Sequence, residues 1–230
     1  MDYDLVSFDL DGTLVDTAGE ICEAANLALQ AHGVAPRPEA EITGLIGAGT
    51  RELMRRLLAR CMALQPALAE RIDEPAVLAS FEASYALTVG SSARPYPGCR
   101  EALMQLQRVG VRLACVTNKE LHHTRRVLQA TRLEGYFALV IGGDSLAEKK
   151  PHASVLRHVV DRLGVAAARS AHVGDSAIDV AAARNAGLAA WAVPYGYNGG
   201  VPIAQAGPDR LFDSLLQLAE HVLGRDGAAA

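Results

Sequence analysis

Two hydrophobic periods run along this chain, and the place where one gives way to the other divides it. Leu5, Val6 and Phe8 form a short apolar run of the kind that builds a buried strand. From residue 92 onward such runs recur at 112–117, 138–142, 171–174 and 189–193, with a weaker one at 210–212. Segments of helical spacing lie between and after them, at 100–108, 121–130, 154–163, 178–185 and 214–223. In the last, Leu215, Leu218, Ala219 and Val222 follow the i, i+3, i+4, i+7 spacing of one buried face. Strands and helices that alternate through short links predict an α/β fold, a Rossmann-like parallel sheet covered by helices on both sides.

Residues 16–91 carry only the helical period. Thr17 and Glu20 have capping-box spacing, Ile21, Ala25, Ala28 and Leu29 then share a face, and Gly33 is placed as a stop. Thr50 is placed to cap a second helix that buries Leu53, Leu57, Leu58 and Cys61. Pro75 suits the first turn of a third, with Val77, Leu78, Phe81 and Tyr85 on one side. The expected organisation is a core of residues 1–15 and 92–230 with an all-helical cap, 16–91, inserted after the first strand. Residues 14–17 lead out of the core and 91–98 lead back.

Composition narrows the function classes. Half of the 230 residues are apolar and 21% are charged, the balance of a globular protein with a substantial core. The net charge is −4 and no basic stripe is present, which argues against nucleic acid. No apolar run approaches the roughly 20 residues that cross a bilayer, and Asp2 and Asp4 stand where a signal peptide would be basic. Cys22, Cys61, Cys99 and Cys115 lack metal-ligand spacing and read as reduced, buried thiols of a cytoplasmic protein. The Gly227-Ala228-Ala229-Ala230 end reads as a frayed tail.

The chemistry begins at Asp9-Leu10-Asp11-Gly12-Thr13, where the first strand ends. Two carboxylates one residue apart at a strand's carboxyl end repel unless a cation or a shared proton relieves them. They suit hard-metal chemistry in which one carboxylate attacks and the other moves protons. Gly12 lets the chain leave the strand with a backbone that other residues avoid. Three further elements follow in order. Thr117-Asn118 ends a strand with a hydroxyl and an amide, a place where phosphate binds, and Thr117 is placed to cap the next helix as well. Lys149-Lys150-Pro151-His152 offers a mobile cation, with Lys149 read as a surface lysine and His152 as a loop residue. Gly174-Asp175-Ser176-Ala177-Ile178-Asp179 adds two acids at a strand end and in the first helical turn.

These four elements, in this order, resemble the fingerprint of the haloacid-dehalogenase-like hydrolases, most of which are magnesium-dependent phosphatases. The resemblance spans nearly the whole chain and is weakest in residues 36–90. It implies that Asp9 is the nucleophile that forms an aspartyl-phosphate, and that Asp11 is the acid and base. It assigns Thr117 and Lys150 to the phosphoryl group and Asn118 to substrate binding. It implies Mg²⁺ held by Asp9, Asp11 and Asp175, with Asp179 supporting the metal's water shell. Ala153 stands where many relatives have a second proline.

A narrower resemblance, to bacterial phosphoglycolate phosphatases, lies in the 195–200 segment Tyr-Gly-Tyr-Asn-Gly-Gly, in Gly207-Pro208-Asp209, in Gly142-Gly143-Asp144-Ser145-Leu146 and in Gly47-Ala48-Gly49-Thr50-Arg51. It implies hydrolysis of a small phosphorylated metabolite, 2-phosphoglycolate, by a monomer or homodimer that binds neither nucleic acid nor membrane. Arg51, at a helix start in the cap, is the candidate for the substrate carboxylate. A sugar-phosphate phosphatase or phosphomutase shares the constellation. A phosphorelay receiver is the alternative outside enzymes, but it is shorter and lacks a helical insert.

Overall fold

A computed structural model describes residues 2–225; the expected tail at 227–230 lies outside them. Six strands form one wholly parallel sheet: β1 (Leu5–Phe8), β4 (Arg112–Val116), β5 (Leu139–Ile141), β6 (Ser170–Gly174), β7 (Ala189–Ala192) and β8 (Arg210–Leu211). Their spatial order is β5-β4-β1-β6-β7-β8. Helices α5 (Cys99–Arg108), α6 (Leu121–Ala130), α7 (Ala153–Leu163), α8 (Ala177–Ala186) and α9 (Leu215–Val222) cover the two faces. All four residues of β1 are buried, as in a strand covered on both sides, with the Ser7 hydroxyl donating to the Ala171 carbonyl.

The order of the strands decides where a site can form. The chain passes from β1 to β4 and β5 on one side, then returns to β6, β7 and β8 on the other. β1 pairs with β4 and β6, with Phe8 level with Cys115 and Val173. The reversal of strand order therefore falls at β1, and the crevice beyond its carboxyl end is where such sheets bind ligands.

Between β1 and β4 the chain forms a helical insert: α1 (Ala18–Ala31), α2 (Glu39–Thr43), α3 (Thr50–Leu64) and α4 (Glu74–Thr88). It leaves and returns through two short antiparallel strands, β2 (Val15–Asp16) and β3 (Arg94–Pro95), which pair with each other. Ile21, Ala25, Ala28 and Leu29 of α1 are buried, and α1 packs most extensively on α4. Leu53, Met54, Leu57 and Leu58 supply the buried stripe of α3, each worth about 2 kcal/mol of burial. Among the described residues no helix is long and apolar enough to cross a membrane. All four cysteines are buried and unpaired.

Three local expectations of helix capping fail, two of them because the hydroxyl finds a partner elsewhere. Thr17 and Glu20 form no capping box. The Thr17 hydroxyl donates to Asp11 Oδ1 at 2.7 Å, and Glu20 is buried and accepts from the Gly90 amide at 2.8 Å. Thr50 begins α3 rather than capping it, and its hydroxyl donates to Glu120 across to the sheet domain at 2.6 Å. Thr117 does not cap α6, whose N-cap is Glu120. Helix α2 and the β2–β3 pair carried too few periodic residues to be anticipated.

Candidate active site

Three neighbouring strands end at the crevice, and each delivers a polar side chain there. Asp9 follows β1, Thr117 follows β4 and Asp175 follows β6, and all three are buried. Gly12 makes the turn after β1 possible: its φ is +79°, and a Cβ there would lie 2.3 Å from Asp175 Oδ2. A larger residue would be strained and would push a site carboxylate aside.

Lys150, in the loop before α7, reaches into this crevice with its ammonium 3.0 Å from Asp9 Oδ1 and 2.7 Å from Asp179 Oδ1. Asp179, in the first turn of α8, is saturated. Its Oδ1 also faces His172 at 3.3 Å, while its Oδ2 accepts from the Ser176 hydroxyl and amide. Asp175 accepts from the Thr13 hydroxyl at 2.9 Å and the Tyr197 amide at 2.5 Å. The segment 195–200 thus has a task at the site. The Tyr197 hydroxyl also meets Asp16 and the Thr17 and Ala18 amides, where the chain enters the insert.

The electrostatics follow from crowding. Burial pushes the Asp9 carboxyl up to about 6, with Asp179 and Asp11 adding to the rise and Lys150 opposing it. Asp175 is raised well above the carboxylate range by burial and by the charges of Asp179 and Asp9. Burial also works against ionised Asp179, but Lys150 and the hydrogen bond from His172 outweigh it and hold its carboxyl low. The ammonium of Lys150 is kept charged against burial by Asp179 and Asp9.

Asp9, Asp175 and Asp179 each place a carboxylate oxygen within 4.8 Å of the others, an acidic group able to hold a metal ion. Asp9 Oδ1 is buried and has no hydrogen bond despite the nearby ammonium. Three carboxyl groups crowd one ammonium, and an all-oxygen donor set fits a hard divalent cation. The carboxylate of Asp11 is not part of this cluster. It takes the Thr17 hydroxyl and, at 2.6 Å, the ammonium of Lys119.

Lys119 is the residue that sequence reasoning passed over. It is 1% exposed and lines the same small space as Asp9, Asp11 and Thr117. Its Nζ also lies 5.3 Å from the centre of the Tyr85 ring, on the insert. The available signal was position: Lys119 follows Thr117-Asn118 directly, where β4 has just delivered its carboxyl end to the crevice.

The insert closes this space from above. Gly47, Gly49, Thr50 and Leu53 face Asp9 and Thr117, leaving about 10 Å³, which is room for no more than a single water. The contact is tight, since a Cβ on Gly49 (φ +99°) would lie 2.8 Å from the Asn118 carbonyl oxygen. Asn118 donates to the carbonyls of Gly47 and Lys150, so its amide joins insert to sheet domain and steadies the Lys150 loop. Lys149 is exposed, as expected of a surface lysine, and donates to the Ala48 carbonyl at 2.7 Å. Arg51 is exposed. It lines a different cavity with Phe81, Glu82, Glu120, His122 and Asp144, and is absent from the lining around Asp9.

The parallel sheet thus carries a buried aspartate at its switch point, a lysine on that aspartate and an acidic cluster beside it, an arrangement suited to a hydrolase. The family model for haloacid dehalogenase-like hydrolases matches residues 3–187, and the chain belongs to that family. It is 44% identical over 210 residues to the plasmid phosphoglycolate phosphatase of Cupriavidus necator, covering 91% of this chain and 89% of that one. It is 37% identical to a phosphoglycolate phosphatase of Vibrio vulnificus, over 95% and 96% of the two chains. Among solved structures, a predicted phosphoglycolate phosphatase from Haemophilus somnus is similar with a TM-score of 0.88 and 31% identity, over 96% of this chain and 99% of that one.

Proposed function

We propose that this protein is a Mg²⁺-dependent phosphatase that hydrolyses 2-phosphoglycolate to glycolate and phosphate. The observation that carries this reading is the buried Asp9 carboxylate with the Lys150 ammonium 3.0 Å away, at the switch point of the sheet. The names of the relatives support the substrate. A cytoplasmic setting is supported by the four unpaired cysteines.

The steps assign each residue one task. An Asp9 oxygen attacks phosphorus in line, a phosphorus–oxygen bond to aspartate forms, and the ester bond to the glycolate oxygen breaks. Asp11, which enters the cycle protonated, gives that proton to the departing alkoxide. It then takes one from the water that attacks the aspartyl-phosphate, which returns the Asp9 carboxylate and releases phosphate. Lys150 and Thr117 hold the phosphoryl oxygens, which is most of what phosphoryl transfer requires. Asp9 and Asp175 would hold Mg²⁺, with Asp179 positioning Lys150 and supporting the ion's waters; when bound, the ion neutralises phosphoryl charge.

Glycolate's carboxylate requires a cation, and Lys119 meets that need. It is the buried ammonium facing the small space under the insert, whereas Arg51 lies outside it. The start of α3, with amides that have no intrahelical acceptor, faces the same space and favours an anion. The roughly 10 Å³ in the closed arrangement cannot hold the substrate, so the insert acts as a cap that opens to admit it and closes to exclude water.

A phosphate-release assay with Mg²⁺, comparing 2-phosphoglycolate with hexose phosphates and glycerol phosphate, tests the reading. The expected result is a kcat/KM for 2-phosphoglycolate at least about tenfold above the others. A clear preference for a sugar phosphate would overturn the substrate and leave the phosphatase.

A further inference from the structure

A second cluster of metal-ligand side chains lies outside the active site, across the seam between insert and sheet domain. Glu82 comes from α4, and His122 and His123 come from the first turn of α6. Neighbouring helical residues ordinarily point about 100° apart. Here both imidazoles turn the same way, their rings 3.8 Å apart. His122 Nε2 lies 3.0 Å from Glu82 Oε1, and His123 Nε2 lies 2.9 Å from the same oxygen. Two donors held at right angles about 2.1 Å from one ion are separated by about 3.0 Å, so small shifts of three side chains would admit an ion.

The surroundings favour a cation. Glu82 and His122 line a cavity of about 540 Å³, open to solvent, together with Glu120, Asp144 and Arg51. Three carboxylates there face one guanidinium. The positive end of α6 is offset by Asp144, which accepts from the Leu121 amide at 2.7 Å. His123 is fully buried and presents its Nε2 to the same Glu82 oxygen that His122 faces.

We propose that Glu82, His122 and His123 bind a borderline transition-metal ion such as Ni²⁺ or Zn²⁺, and that the bound ion clamps the insert onto the sheet domain and shuts the active site. Two imidazoles and one carboxylate select such ions over Mg²⁺, which prefers oxygen donors. One ligand comes from the insert and two from the sheet domain, so the ion cross-links elements that must part for substrate to enter. The clamping effect rests on the cap reading above; the binding site does not.

Calorimetric titration of Ni²⁺ into the untagged full chain, saturated with Mg²⁺, tests the site whatever the enzyme hydrolyses. One Ni²⁺ per chain is expected with a micromolar Kd. Affinity should fall at least about tenfold in Glu82→Gln and in His122→Ala, since even loss of a ligand's supporting partner costs that much. Both side chains are about half exposed, so neither variant is expected to disturb the fold. In parallel, Ni²⁺ should slow p-nitrophenyl phosphate hydrolysis in the wild type and much less in both variants. Binding unchanged by the substitutions, or no binding below millimolar Ni²⁺, overturns the site. Binding lost in the variants while inhibition persists overturns the clamp, because the inhibition would then arise at the Mg²⁺ cluster.

Discussion

Lys119 Nζ lies 2.6 Å from Asp11 Oδ1, and both side chains are nearly or fully buried between the sheet and the insert. An ammonium withdrawn from water beside the proposed acid and base has two tasks to divide. It holds the Asp11 carboxylate, with Thr17, in place. When glycolate's carboxylate arrives, the ammonium can turn to it and leave Asp11 free to move protons. Removing one partner of a buried charged contact costs about 2–5 kcal/mol. Lys119→Met should therefore lower kcat/KM for 2-phosphoglycolate by about 30-fold or more, at about 1.4 kcal/mol per tenfold. p-Nitrophenyl phosphate, which has no carboxylate, should lose markedly less. Equal losses would make Lys119 a positioning residue for Asp11 alone.

Arg51 makes the opposite prediction. Its side chain is exposed and belongs to the outer cavity, so Arg51→Ala should change kcat/KM for 2-phosphoglycolate by less than about threefold. Steady-state kinetics on both substrates check this. A large loss confined to 2-phosphoglycolate would mean that the guanidinium swings inward when substrate binds, and would shift the carboxylate's partner from Lys119 to Arg51.

The contrast between these residues explains what the sequence could disclose. Elements with many periodic residues were legible: the helix expected at 121–130 is α6 with the same bounds, and the run at 112–117 is β4 with one residue fewer. That Asp9, Thr117, Lys150, Asp175 and Asp179 would meet in one crevice was legible because they come in a recurring order at strand ends, in a loop before a helix and in a first helical turn. Which of Arg51 and Thr50 faces that crevice was not. They are adjacent at the start of α3, and a rotation of about 100° decides which one faces the site. That rotation is set by tertiary contacts, such as Thr50 to Glu120 and Gly49 against Asn118, which no local pattern encodes. Thr17 was misread for a related reason: its spacing to Glu20 fits a cap, yet the carboxylate of Asp11 six residues earlier is the stronger acceptor.

Asp9→Asn removes the attacking oxygen while keeping the shape of the side chain. It should fold normally by circular dichroism and lose about 10⁴-fold or more in kcat, the scale of losing a nucleophile that acts as a unit with its partners. Residual turnover above a tenth of wild type would remove Asp9 from the role.

The acidic cluster links metal, pH and stability. Without an ion, Asp9 is pushed up to about 6 and Asp175 is raised as well, by burial first and by mutual repulsion second. A carboxyl whose folded value exceeds its unfolded value supports folding at low pH, where it is protonated in both states. That support is lost as pH rises through the folded value. The metal-free chain should therefore lose stability between about pH 4 and pH 7 at this cluster. Mg²⁺ binds the ionised carboxylates and should restore that stability, and a concentration 100 times its Kd adds about 2.7 kcal/mol. For a chain of this size that raises Tm by roughly 5–10 °C. The rise should be large at pH 7.5 and small at pH 5, where protons compete for Asp9 and Asp175. Differential scanning fluorimetry with and without Mg²⁺ reads both, and Gly12→Ala, whose Cβ would displace Asp175, should reduce the rise at pH 7.5. An equal Tm rise at the two pH values would mean that the ion binds away from Asp9 and Asp175.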